Sequence, residues 1–148
     1  MSARALTHRA PPGRPEELLV LPPLLARLPI LRELPAFWPI YLWHHRRPWT
    51  RRLHHLGSWS CIAGAVLALA LGAWWAVLLG LVVGYGLAFA GHWVVERNRP
   101  LTFGRPILAG IGNWMMFALE LGGRLEVHLQ VVQEQPRDDW DDYDVGSN

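Results

Sequence analysis

One long uncharged stretch constrains the fold of this chain more than any other feature. Residues 53–95 contain no Asp, Glu, Lys or Arg over about forty positions, and arginine and histidine lie at both ends. The hydrocarbon core of a bilayer takes about twenty apolar residues per helix, so the stretch is long enough for two spans. Gly72 and the paired Trp74 and Trp75 suit a short interfacial turn, so we predict a helical hairpin.

The hairpin brings two histidines to the same depth. His54 precedes Ala73, the centre of the predicted turn, by nineteen residues, and His92 follows it by nineteen. At 1.5 Å per helical residue, each lies roughly 28 Å from the turn and on the same side of the membrane. Small residues such as Gly80 and Gly84 recur about every four positions along both helices and let them approach closely. Since these stripes run into the two histidines, the imidazoles are predicted to face the partner helix.

The composition agrees with an all-α integral membrane protein. Apolar residues make up 51% of the 148 residues and include nine Trp, so part of this apolar surface is expected to face lipid. Every basic residue is arginine, and arginines flank the hairpin on both sides but are absent from its turn. The positive-inside rule then places both flanks and the histidines in the cytoplasm. No nucleic-acid partner is expected, and homo-oligomerisation is left open.

The chain divides into three predicted regions. Residues 1–34 form an N-terminal extension, disordered at first and then folded into short interfacial helices broken by prolines. Residues 35–126 form the membrane-embedded domain, in which segment 107–119 is short for a span and is predicted to be a third helix that dips into the membrane or packs on the hairpin. Residues 127–148 form an acidic tail with a disordered end. Thr50 is predicted to cap the first helix of the hairpin.

Histidines gather at the cytoplasmic end of the hairpin. His45 lies nine residues before His54, across a proline turn, so it can fold back over the helix ends. Imidazole suits Fe, Zn and Cu, and a carboxylate is a common further ligand. Glu96 lies one helical turn after His92 on the same predicted face. The spacing predicts a metal site of His45, His54 and His92, with Glu96 as an optional ligand and with open positions that suit Fe(II) and O₂.

Simpler interpretations of single residues stay open at this stage. Each histidine could be an interfacial anchor, and His44 and His55 could support a ligand or lie among lipid head groups. Glu96 could pair with an arginine of the following loop, namely Arg97 or Arg99. If all of the histidines were interfacial anchors, the hairpin would have no metal site.

Three other functions also fit parts of the pattern. A membrane di-iron hydroxylase would need more histidines, in repeated boxes, than the seven present. A haem held between His54 and His92 would give a visible absorption band. A non-catalytic membrane module, with a structural metal or with interfacial histidines, is the alternative from a different class.

Two motifs resemble those of the Mpo-like family, small membrane proteins first catalogued as a domain of unknown function. The chain reads FWPIYLWHHRRPWTRRLHHLGS into the hairpin, and GYGLAFAGHWVVERNRP followed by FGRPI after it. The residues that fall at the family's spacing are Tyr41, His45, His54, Gly57, Gly91, His92, Glu96, Asn98, Arg99 and Pro100. The resemblance covers about residues 37–125. In the third helix, where bacterial relatives commonly carry an acidic residue, this chain has Asn113.

The resemblance implies an activity. The family's fungal member is an Fe(II)-dependent dioxygenase that shortens 2-hydroxy fatty acids by one carbon during phytosphingosine breakdown. For this chain, the resemblance implies an Fe(II) enzyme of the bacterial inner membrane that acts with O₂ on 2-hydroxy fatty acids or related lipids. The implied roles are metal ligation by His45, His54 and His92, catalysis by Tyr41, Glu96 and Asn98, and binding of the substrate carboxylate by Arg97 or Arg99.

Overall fold

A computed structural model describes residues 14–135 and Trp140 of this chain. Throughout these residues the fold is all-α, without a β-strand. Two 3-10 turns come first, at Pro15–Glu17 and Leu25–Arg27, and helix α1 (Pro29–Arg32) follows. The prediction of short helical pieces in this proline-rich segment is therefore confirmed. The disorder predicted for the first residues of the chain lies outside the described residues.

Two long helices form the predicted hairpin. Helix α3 (Pro48–Leu71) ends at Gly72, whose φ of 67° is the left-handed conformation that terminates many helices. Helix α4 (Trp75–Ala90) follows and continues as a π-helical segment, Gly91–Glu96. Both are long and apolar enough to cross a membrane, and only 28% and 22% of their apolar windows are buried within the described fold. Most of this apolar surface faces outward, as in a membrane hairpin.

Glycines set the distance between α3 and α4. A Cβ added at Gly57 would lie 2.8 Å from the main-chain oxygen of Gly84. One added at Gly64 would lie 2.3 Å from the main-chain oxygen of Ala76. Both distances are shorter than real carbon–oxygen contacts, so larger side chains would push the helices apart. The predicted small-residue stripes are thus the contact seam of the hairpin.

Three further helices complete the fold. Helices α2 (Leu34–Trp43), α5 (Pro106–Leu121) and α6 (Leu125–Glu134) pack around a hydrophobic cluster that includes Trp38. Helix α5 also packs against α3. It has 16 residues, somewhat more than the sequence predicted, and remains short for a span. These helices place a packed, largely apolar core beside the two long helices.

The structure corrects the predicted start of α3. The helix begins at Pro48, after Arg47, and not at Thr50. Proline suits the first helical position because the N–H it lacks would have no partner within the helix. Thr50 is instead buried in the first turn, where its hydroxyl donates to the main-chain oxygen of Gly91 at 3.5 Å. This contact joins the start of α3 to the π-helical segment.

The contact seam predicts that glycine-to-alanine substitutions change the free energy of unfolding differently inside and outside it. Gly64→Ala should lower the free energy of unfolding by about 1–3 kcal/mol, because its Cβ would overlap the backbone of α4. Gly86→Ala is the matched control, since a Cβ there meets no atom within 4 Å. Alanine gains about 1 kcal/mol of helix propensity over glycine at either position, so the difference between the variants isolates packing. Unfolding in detergent, followed by circular dichroism, measures both; equal stabilities would contradict the seam.

Candidate metal centre

Three buried histidines meet where α2, α3 and the π-helical segment come together. His45 follows α2, His54 lies in the second turn of α3, and His92 lies in the π-helical segment. Their ring centroids are 4.5, 4.6 and 5.1 Å apart. One nitrogen from each ring lies within 4.8 Å of the others, close enough to hold one metal ion. The structure therefore brings together the three histidines that the sequence predicted as ligands.

The Nδ1 atoms of these rings face oxygen acceptors outside the cluster. His45 Nδ1 lies 2.6 Å from the main-chain oxygen of Tyr41, and His54 Nδ1 lies 3.0 Å from Oδ1 of Asn113. Facing an acceptor, Nδ1 carries the proton, so Nε2 of each neutral ring keeps its lone pair. Both Nε2 atoms are buried and have no hydrogen-bond partner. Such orphaned acceptors require an explanation, and a metal ion bound by the lone pairs supplies one.

Two asparagines orient two of the rings. Asn113 donates from Nδ2 to Ser58 Oγ at 3.0 Å, which fixes its Oδ1 toward His54. Asn98 in turn accepts at Oδ1 from His92 Nδ1 at 2.8 Å. Asn98 was predicted to be catalytic. In the structure it contacts the Nδ1 side of His92 and orients the ring.

Asn113 and Ser58 are not among the site residues predicted from the sequence. Asn113 enters that prediction only as a departure from the bacterial relatives. The available signal was the presence of an amide in the otherwise apolar middle of α5. Uncompensated polar groups are costly in such a helix, so this one needed a partner.

Burial keeps His45 uncharged. It is 1% exposed, and loss of solvation is the main cause that holds its pKa well below the ordinary value. The neighbouring imidazoles His54 and His92 lower it further, because a positive charge on one ring disfavours charge on the next. A neutral imidazole is the form that binds metals.

Glu96 lies outside the three-histidine group. Its Oε1 accepts a hydrogen bond from the main-chain N–H of Arg47 at 2.6 Å, and its Oε2 lies 3.8 Å from Arg47 Nε. A carboxylate at the start of α3 is favourable, because the N-terminus of a helix carries partial positive charge. The predicted one-turn alignment with His92 assumed an α-helix, whereas the wider π-helical turn changes which residues share a face. Glu96 is also predicted as catalytic; its contacts here anchor α3.

A cavity of about 160 Å³ adjoins the histidines. Its wall includes Tyr41, the three imidazoles and Asn113. Small and largely apolar residues of α3, α4 and α5 also line it, among them Cys61, Leu81, Gly84, Tyr85, Ala88 and Trp114. No Asp, Glu, Lys or Arg is among the described residues that line it. Arg97 and Arg99, predicted to bind a carboxylate, are exposed and lie outside this wall.

Tyr41 supplies a polar group to the cavity. Its ring stacks on His45 with centroids 4.1 Å apart, and it is 2% exposed. Its hydroxyl is buried without a hydrogen-bond partner. Burial raises the pKa of the Tyr41 phenol above its ordinary value, so the hydroxyl keeps its proton and can donate a hydrogen bond. Of the predicted catalytic residues, Tyr41 is the one that the structure places at the cavity.

The fold and the site define a class: helical proteins with a membrane-type hairpin and a buried three-histidine candidate metal centre. Residues 31–125 match the family model described as 2-hydroxy-palmitic acid dioxygenase Mpo1-like. The chain belongs to this family. No curated protein and no solved structure matches the chain. The comparison thus gives a family-level activity, dioxygenase, without assigning roles to residues.

Asn113 gives a first test of the centre. Asn113→Ala should weaken Co(II) binding about 10–100-fold, as expected when the outer partner of a metal-ligating histidine is removed. Asn113→Asp should keep most of the affinity, because a carboxylate oxygen still accepts from His54 Nδ1. Ser60→Ala is the control, since Ser60 Oγ bonds only along α3, to the main-chain oxygen of Leu56. Titration followed by the visible Co(II) spectrum measures the three affinities; an unchanged Asn113→Ala value would contradict the orienting role.

Proposed function

We propose that this protein is a membrane-bound Fe(II)-dependent dioxygenase that shortens 2-hydroxy fatty acids, or related lipids, by one carbon. One observation carries the proposal: three neutral imidazoles converge beside an uncharged cavity in a chain of the 2-hydroxy-palmitic acid dioxygenase Mpo1-like family. The reaction balances with one O₂ and no added reductant. A 2-hydroxy acid and O₂ give a fatty acid one carbon shorter, CO₂ and water.

The donor set favours an open site. Structural metal sites are usually closed by four protein ligands, whereas catalytic sites keep positions for substrate. Here the metal-ligand candidates are the three imidazoles of His45, His54 and His92, and a cavity adjoins them. Nitrogen ligands with open positions also suit Fe(II) oxygenases. Iron bound there would supply the one-electron and O₂ chemistry that the side chains lack.

The side chains of the cavity would bind and orient the substrate. The Tyr41 hydroxyl, protonated and without a partner, donates a hydrogen bond to the carboxylate or the 2-hydroxyl of the substrate. The apolar wall between α4 and α5 excludes water and contacts the first carbons of the chain. A cavity of roughly 150 Å³ takes a molecule the size of benzene, so the rest of a long acyl chain stays outside it. Leu81, Tyr85 and Trp114 are 42%, 51% and 46% exposed, which suits an opening toward lipid.

The proposed location follows from the same helices. The hairpin spans the bacterial inner membrane, with both arginine-rich flanks and the histidine centre on the cytoplasmic side. Arg97 and Arg99 lie outside the cavity, so we assign them the attraction of fatty-acid carboxylates to this end of the protein, and not the holding of a bound one.

A non-catalytic structural metal site is the second candidate function, and it leaves the cavity and the Tyr41 hydroxyl without a role. A haem is disfavoured because its iron has two axial positions, whereas three imidazoles converge here.

Metal content is the decisive measurement. Protein purified anaerobically in detergent should contain about one iron per chain, because the site holds one set of three imidazoles. His92→Ala should lose it. His55→Ala should keep it, since His55 lies on α3 outside the group. The iron-loaded protein should then convert 2-hydroxypalmitic acid and O₂ to the acid one carbon shorter. Absence of bound iron after Fe(II) is supplied would refute the dioxygenase and leave the structural module.

Tyr41→Phe separates substrate binding from metal binding. The substitution removes only the hydroxyl, so iron content should stay at the wild-type value. Loss of a hydrogen bond to a charged group costs about 1.5–3 kcal/mol, so kcat/KM should fall roughly 10–150-fold. Steady-state turnover beside elemental analysis measures both. An unchanged kcat/KM would remove Tyr41 from the substrate site.

A further inference from the structure

Trp140, a residue outside the family-matched segment, contacts a histidine beside the candidate metal centre. Trp140 follows α6 and lies outside residues 31–125. The sequence predicts a disordered acidic tail in this part of the chain. Trp140 is instead 3% exposed and belongs to the hydrophobic cluster around Trp38. Its indole packs at a tilt against Trp43, with centroids 6.0 Å apart.

The main-chain oxygen of Trp140 contacts a histidine next to the cluster. His44 Nε2 lies 2.9 Å from this oxygen, and His44 is 5% exposed. A carbonyl oxygen can only accept, so His44 Nε2 carries the proton in this contact. In a neutral imidazole, a proton on Nε2 leaves Nδ1 as an acceptor. The contact with the Trp140 carbonyl therefore favours the His44 tautomer that carries its proton on Nε2.

On its Nδ1 side, His44 contacts the side-chain amide of Asn98, which orients His92. Asn98 Nδ2 lies 3.2 Å from His44 Nδ1 and 3.1 Å from the main-chain oxygen of His44. Because both of these atoms accept, the NH₂ group of Asn98 must face His44. Its Oδ1 then faces His92 Nδ1, 2.8 Å away. If His44 took the opposite tautomer, its Nδ1–H would meet the amide N–H₂ and this arrangement would be disfavoured.

We propose that Trp140 is a positioning residue for His92. Its buried indole holds its main-chain carbonyl against His44, and His44 passes this constraint to His92 through Asn98. We call the contacts from Trp140 through His44 and Asn98 to His92 the relay. The effect on metal affinity rests on the proposed function, whereas the relay itself is independent of bound metal. Trp140 thereby becomes part of the site, although it lies about fifty residues from His92 in the sequence.

The test combines a metal-free and a metal-bound readout. In metal-free protein labelled with ¹⁵N-histidine, long-range ¹H–¹⁵N spectra should show His44 protonated at Nε2 and His92 protonated at Nδ1. Trp140→Ala should convert both to mixtures of tautomers and weaken Co(II) binding about tenfold, at the lower end for outer partners. Trp140→Phe should restore both, because a buried aromatic ring still anchors the carbonyl.

Leu129→Ala separates positioning from stability. Leu129 is 2% exposed in the same hydrophobic cluster but is not part of the relay. Leu129→Ala should lower the unfolding temperature about as much as Trp140→Ala does. The tautomers of His44 and His92 and the Co(II) affinity should stay at wild-type values. His44→Ala should also weaken Co(II) binding, and adding Trp140→Ala to it should cost nothing more, because both act through one relay.

The outcomes are distinguishable from failure of the proposed function. Wild-type tautomers and affinity in Trp140→Ala would overturn the inference, as would an equal loss in Leu129→Ala or additive losses in the double variant. If wild-type protein binds neither Fe(II) nor Co(II), the proposed function fails. The spectra of His44 and His92 in the metal-free variants then still decide whether Trp140 sets the relay.

Discussion

A neutral imidazole has one N–H and one lone pair, and this constraint organises the centre. Where Nδ1 faces an oxygen acceptor, Nε2 is left with the lone pair, so the acceptors behind the rings decide what the rings present to one another. In this chain those acceptors are the Tyr41 carbonyl and the amides of Asn98 and Asn113. The result is a cluster that is uncharged but rich in electron-pair donors. Burial stabilises this state, because it disfavours protonation of His45.

The helix seam is what allows the rings to meet. Gly57 and Gly84 bring the backbones of α3 and α4 into contact, and the same faces continue toward His54 and His92. The seam alone gives two ligands, since His45 arrives from α2 after a turn. Contact between α5 and α3 then brings Asn113 to His54. The centre therefore depends on both the hairpin and the helices that cover its end.

The sequence predicted those features that follow from local geometry. Counting residues from Ala73 at a fixed helical rise was enough to bring His54 and His92 to one depth. Glu96 could not be placed this way, because the π-helical segment departs from the α-helical period. Asn113 and Trp140 were missed for another reason: their partners lie 59 and 96 residues away in the sequence, at His54 and His44. No periodicity links such positions, so only the packed structure could pair them.

The absence of fixed charge along the cavity wall bears on how an anionic head group would bind. Among the described lining residues there is no arginine or lysine to neutralise a carboxylate, and a charge buried without a partner is costly. The polar side chains of the described wall are neutral; they include the Tyr41 hydroxyl, the imidazoles, the Asn113 amide and the hydroxyls of Ser58 and Thr102. If the cavity binds an acid as proposed, the positive charge would come from a cation bound at the histidines. Metal binding and binding of an acidic substrate would then be coupled, because each would supply the charge that makes burial of the other favourable.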